Sequence, residues 1–140
     1  MDGDLAAAIA LYWWNVGVSA AFYTPLHCLE VALRNAIHRQ LSHHIGRTDW
    51  WESVPLRGNE QRIVAGARSK VNARRRTHAA DDIVAELSLG FWVSLTSGTY
   101  HRLLWVPIPR KAFPCYRGPL RALHDDLHTM LLFRNRIMHH

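Results

Sequence analysis

The chain has 140 residues, a length that suits one domain, and its 49% apolar content is too high for disorder. Its formal net charge is +6, its isoelectric point lies near 10.0, and all but Lys70 and Lys111 of its 17 basic residues are Arg. Planar guanidinium forks in such excess point to a polyanionic partner, either nucleic acid or an anionic membrane surface. Cys28 and Cys115 stand alone without CxxC spacing, which argues against a disulfide scaffold or a thiolate zinc site and fits a reduced, cytoplasmic setting.

The chain opens with no charge from Leu5 to Leu29, long enough on paper to span a membrane. Asn15, Thr24, Pro25 and His27 interrupt that stretch, and Asp2 and Asp4 oppose a signal peptide, which starts with positive charge. It therefore reads as buried core of a soluble protein, with no membrane partner. Leu5, Ile9, Tyr12 and Trp13 form the apolar face of a first helix. Thr24 as an N-cap and Pro25 at the first helical position predict the start of a second. Its buried face is Leu26, Leu29, Leu33, Ile37 and Leu41, and Gly46 ends it.

The segment "GRTDWWESVPLRG" reads as a loop with aromatic anchors. A basic helix follows over roughly Asn59–Arg76, where seven basic residues from Arg57 to Arg76 face the single acid Glu60. Asp81 then caps a helix running through "DDIVAELSLGFWVSLTSG" to Gly98, and its apolar "GFWVSL" reads as core. "VPIPRKAFP" is a Pro-punctuated connection. Gly118 and Pro119 open a last helix, with Leu120, Leu123, Leu127 and Leu131 as its core face. No strand-like alternation persists, and there is no low-complexity tract or solenoid repeat. The fold class is therefore all-α, a bundle of about five helices in a single domain over residues 1–140.

Two segments echo each other, "RNAIHRQ" at Arg34–Gln40 and "RNRIMHH" at Arg134–His140. In the last helix Asn135 and His139 are ~40° apart, on one face at i and i+4, with Arg134 on the flank. This places a fixed cation, an orienting amide and a titratable imidazole together. A buried Arg without a partner is costly, so Arg134 faces water, pairs with Glu30 or Asp126, or awaits an anion. A solvated helix end is the plain alternative. In the earlier copy Glu30, Arg34 and His38 make one polar stripe. It reads as an intrahelical salt bridge between Glu30 and Arg34, or as a support that faces the last helix and orients Arg134 or His139.

"HDDLH" places His124 and His128 at i and i+4, a spacing like that of HExxH zinc helices, but Asp125 replaces Glu and no third ligand stands out. Surface histidines are the plainer reading, and no metal is assigned. "RSKVNARRR", with Arg68, Lys70, Arg74, Arg75 and Arg76, either tracks a phosphate backbone or is a solvated face.

The order of landmarks resembles the Abi-like family, the AbiD/AbiF-type abortive infection proteins of the HEPN superfamily. The resemblance runs over nearly the whole chain: "LYWWNVGVSAAFYTPLHCLEVALRNAIHRQL", "DWW", "DDIVAELSLGFWVSL", "LW", "FP" and finally "RNRIMHH". The last element matches that superfamily's Arg-polar-x-x-x-His motif as Arg134, Asn135 and His139.

The resemblance implies an all-helical fold and a metal-independent endoribonuclease toxin of phage defence, with no cofactor. Its site would be shared by a homodimer, in which two copies of the motif converge. Arg134 would hold the scissile phosphate of an RNA substrate, His139 would act as general acid or base, and Asn135 would orient one of them. Glu30, Arg34, His38 and His140 would support them. A small RNA or a neighbouring protein would restrain the toxin as antitoxin. Members of that family usually continue past the double His, so the resemblance also implies a domain shortened at its C-terminus. The competing expectation is a non-catalytic RNA- or partner-binding helical module.

Overall fold

The computed structural model describes residues 2–74, 79–105 and 109–139. The described residues contain six α-helices: α1 (Asp2–Ile45), α2 (Gly58–Ala73), α3 (Ala80–Glu86), α4 (Leu89–Ser94), α5 (Pro109–Ala112) and α6 (Leu120–Met138). No strand occurs among them. The all-α expectation holds, with the helices divided differently from the sequence pattern.

The first two expected helices are one. α1 runs straight through Pro25 for 44 residues. Thr24 is therefore an interior helical residue and not an N-cap. Proline removes one backbone donor and crowds the preceding turn, but the helix is held by tertiary contacts on both sides. Phe22 meets Phe133 of α6 edge-to-face at 5.1 Å, and Leu26 is buried one residue after the proline. α1 ends as expected at Gly46, whose φ of 81° is the left-handed conformation of a helix C-terminus. Its amide donates to the Ser42 carbonyl at 2.9 Å.

The expected helix from Asp81 to Gly98 is two. Leu87 and Ser88 are extended (ψ 131° and 161°). Ser88 then caps α4, its Oγ accepting from the Phe91 amide. The serine offers the backbone a local alternative to continuing the helix. Asp81 and Asp82 lie in the first turn of α3, which Ala79 precedes. Gly98 begins a short 3-10 turn rather than ending a helix.

The core is built around Trp50, which is fully buried, at ring distances of 5.4 Å from Trp51, 6.1 Å from Trp92 and 6.4 Å from Phe91. Leu33, Ile37 and Leu41 of α1 join it, as do Val64 and Val71 of α2, Ile83 and Val84 of α3, and Leu123 and Leu127 of α6. "DWW" and "GFWVSL" thus anchor the interior. Buried Glu60 accepts from the Tyr100 hydroxyl at 3.0 Å, and that hydroxyl accepts from the Arg57 amide at 2.9 Å. Burial is the main reason the Tyr100 phenol is pushed above its ordinary pKa.

The first half of α1 contradicts the expectation of buried core. Residues 2–25 are exposed apart from Val18 and Ser19, which are half-buried. Leu5, Ile9, Leu11, Tyr12, Trp13 and Trp14 stand in the open. By length and composition α1 could cross a membrane, and none of its most apolar window is buried. Hydropathy reports what a segment would bury, not what lies beside it. α1 packs against α4, α5 and α6; its buried residues begin at Leu26, and before it Phe22 meets Phe133 of α6.

Candidate active site

α6 crosses α1 and brings the motif to Glu30. Leu123, Leu127 and Ile137 are buried along α6, and Arg134 falls on the same side by helical spacing. Its Nη2 lies 3.4 Å from Glu30 Oε2, with the two side chains 30% and 20% exposed. Nη1 donates to Asn135 Oδ1 at 3.3 Å. Nε is buried and has no hydrogen-bond partner among the described residues. A guanidinium has five donors and no acceptor. Arg134 is therefore steered by one carboxylate and one amide, with donor capacity to spare.

Of the three outcomes open to Arg134, the structure selects the ion pair with Glu30. The intrahelical pair of Glu30 with Arg34 gives way to this interhelical one, and Arg34 donates instead to Asn35 Oδ1 at 3.4 Å. The sequence offered this pair as one alternative beside Asp126, since Glu30 and Arg134 each fall on the core side of a helix with opposite charge.

His139 closes α6 as its C-cap. Its backbone has left the helical region (φ −113°, ψ 37°), and its side chain is exposed. The expected stacking on Asn135 at i and i+4 is therefore not fixed by helix geometry. Asn135 orients Arg134 in this state. His140, Arg75 and Arg76 lie outside the described residues.

His38 serves the core and not the motif. Its Nδ1 accepts from Trp50 Nε1 at 3.0 Å, so the neutral ring carries its proton on Nε2, 3.8 Å from Asp81. Burial holds its pKa below the ordinary 6.5, the Asp81 charge opposing this and Arg34 adding to it. Glu30 is thus the member of the earlier stripe that reaches the last helix.

The basic stretch is partly neutralised. Arg68 pairs with Glu52 and Arg74 with Glu86, while Lys70 is exposed. These carboxylates come from other elements, so counting charges along the segment overstated its free cation.

In "HDDLH" the rings of His124 and His128 stack at 6.1 Å. The buried Thr96 hydroxyl donates to the Val93 carbonyl at 2.6 Å. Its oxygen therefore accepts from His124 Nδ1–H at 2.8 Å. A cavity of about 550 Å³ opens there, lined in part by His101, Arg121 and Asp125. Among the described residues no group of three or more His, Cys, Asp or Glu side chains could hold a metal. The Thr96 contact joins α6 to the turn after α4, and no sequence spacing announces it.

No family model matches the chain, and no curated protein or solved structure matches it. The functional reading therefore rests on this geometry and on the resemblance of the motifs.

Proposed function

We propose that the chain is a metal-independent endoribonuclease of the abortive-infection type, a cytoplasmic toxin that cleaves RNA through Arg134, Asn135 and His139. One observation carries the reading. Arg134 is held near the end of α6 by Glu30 and Asn135, five residues before the exposed His139. A phosphodiester would compete with Glu30 for the guanidinium, which suits planar, bidentate recognition of phosphate.

The chemistry such a site can perform is narrow. A base removes the 2′-hydroxyl proton, O2′ attacks the adjacent phosphorus, and the bond from phosphorus to O5′ breaks as O5′ takes a proton. The products are a 2′,3′-cyclic phosphate and a 5′-hydroxyl. His139 is the proton carrier, because imidazole works in both directions near neutral pH. Arg134 opposes the charge that builds on the phosphorane oxygens. One proton must be removed and another delivered, and the resemblance assigns these tasks to the two motifs of a homodimer. DNA lacks the attacking hydroxyl, so RNA is the substrate. An antitoxin, small RNA or protein, would restrain the activity.

The test is incubation with single-stranded RNA in EDTA. Cleavage with 2′,3′-cyclic phosphate ends is expected, and His139→Ala should lower the rate by about 10²–10⁴-fold. RNA bound in a salt-sensitive way but left intact would replace this reading with that of a non-catalytic RNA-binding module.

A further inference from the structure

The cavity beside His124 is separate from the Arg134 motif, since His124 precedes Arg134 by ten residues on α6, about 15 Å along the helix axis. Its volume of about 550 Å³ lies in the roughly 300–1,000 Å³ range of small-molecule sites. Its walls join apolar Pro119 and Leu120 to four side chains with chemistry to offer: His101, Arg121, His124 and Asp125. Arg47, Arg68, Arg74 and Arg134 each face a carboxylate. Arg121 enters no ion pair among the described residues, although Asp125 stands one turn further along α6. His124 is held in one tautomer. Thr96, 1% exposed, donates its hydroxyl proton to the Val93 carbonyl and so keeps the His124 proton on Nδ1. The neutral ring then has an acceptor lone pair at Nε2, with no hydrogen-bond partner there among the described residues. His101 opens a π turn (His101–Trp105) directly after the 3-10 turn Gly98–Tyr100, a rare geometry that recurs at functional sites.

We propose that this cavity binds a nucleotide. The phosphate sits between Arg121 and His101, the base lies against Pro119 and Leu120, and N–H groups of the base donate to Asp125 and to His124 Nε2.

Each wall makes a demand that the ligand must meet. The guanidinium fork of Arg121 suits a bidentate oxyanion. The Asp125 carboxylate and the neutral His124 ring accept hydrogen bonds, so they call for N–H donors. Pro119 and Leu120 call for an apolar face. A nucleotide meets all three demands, inorganic phosphate only the first, and a nucleoside only the other two. Guanine presents two neighbouring donors, N1–H and the N2 amine, to a single carboxylate. Adenine has a ring acceptor beside its amine, which would face Asp125 unpaired. GMP is therefore the preferred mononucleotide.

Such a group is supplied free or as one unit of an RNA strand. Arg121, His128 and Asn135 recur every seven residues, so they lie along one face of α6, turning only ~20° per step. The line runs about 21 Å from the cavity to the motif, and Arg121 and His128 on it are exposed. A strand seated in the cavity would follow this line. The cavity is independent of the nuclease reading, whereas the course of a strand toward Asn135 rests on it.

The test is isothermal titration calorimetry of the full chain in EDTA with GMP, AMP, guanosine and inorganic phosphate. A single-stranded RNA hexanucleotide carrying one guanine is added in the His139→Ala background, where it stays uncut. GMP should bind about tenfold or more tightly than guanosine, phosphate or AMP, the size of one lost bidentate contact. Arg121→Gln should reduce GMP binding to the level of guanosine, and Asp125→Asn should abolish the preference for GMP over AMP. Arg136→Gln, the same charge change fifteen residues further along α6, should leave both intact. No binding of GMP at millimolar concentration, phosphate binding as tightly as GMP, or equal losses in Arg121→Gln and Arg136→Gln would each overturn the site. Tighter binding of the hexanucleotide than of GMP, weakened by His128→Ala, would make an RNA strand the source. Equal binding, indifferent to His128→Ala, would make the source a free nucleotide. A chain that binds GMP but leaves RNA uncut would keep this site and remove the nuclease reading, and cleavage without GMP binding would do the reverse. Unchanged circular dichroism would show that the variants still fold.

Discussion

From Leu26 onward α1 carries the buried residues Leu26, Leu33, Ile37 and Leu41, while before it the same helix is a largely exposed arm. The apolar spacing does not change at that point, and neither does the secondary structure. What changes is the company: the Trp50 cluster takes in Leu33, Ile37 and Leu41 of the second half, whereas the first half has Phe133 set against Phe22. Periodicity therefore identifies a face that needs cover without saying which element supplies it. Tertiary packing, more than propensity, decides what such a face contributes.

The strongest way to break this comparison is to cut equivalent side chains from the two halves. Ile37 is 1% exposed in a packed cluster. Ile37→Ala should leave a cavity and cost about 2–5 kcal/mol in chemical unfolding. A cost below ~1 kcal/mol would mean that the α1 contact with the body is loose and that the two halves differ little.

A smaller effect tests the polar position of the covered half. Glu30→Gln removes the anion facing Arg134, whose Nε already lacks a partner. Both side chains are partly solvated, so screening limits the loss to about 1 kcal/mol. Asp4→Asn in the arm should change unfolding by less than that. Equal effects would show that Glu30 contributes to the fold no more than a surface charge does.

His38 belongs to the covered half as well, and it makes stability depend on pH. Its folded pKa is lowered, chiefly by burial. As pH falls through 6.5 the unfolded chain therefore binds the proton first, and stability declines until the folded ring also titrates. Protonation also fills Nδ1, which accepts from Trp50. Unfolding followed between about pH 8 and 5 should show this decline, and His38→Gln should reduce it. An unchanged profile in the variant would assign the acid sensitivity to other groups.

The helical class, the Trp50 and Phe91–Trp92 core, the Gly46 terminus and the inner face of α6 were legible because each depends on local spacing or a single backbone requirement. Pro25 misled because it marks a helix start in isolation, yet packing at Phe22 and Leu26 holds the helix on both sides of it. Ser88 went unread as a break because an apolar run surrounds it. The Glu30–Arg134 pair was legible only as one of several outcomes, because spacing within one helix favoured Arg34 as the partner of Glu30 and the crossing of α1 by α6 is a tertiary fact. The engagement of Arg68 by Glu52 and of Arg74 by Glu86 was not, because those partners depend on how α2 lies against other elements.

The smallest expected effect is also the most informative about the arm. Ile9→Ala removes the same atoms as Ile37→Ala, but from a side chain that is 49% exposed. At low protein concentration it should change unfolding by no more than ~0.5 kcal/mol. Measured again at high protein concentration, the same substitution should lower the transition midpoint if a second copy covers the arm, because stability gained by association rises with protomer concentration. A cost that is large and independent of concentration would mean that Ile9 is covered within its own chain. A cost that appears only on association would place its cover on a second copy. The two halves of α1 would then share one packing rule and differ only in whether the covering helix belongs to the same molecule.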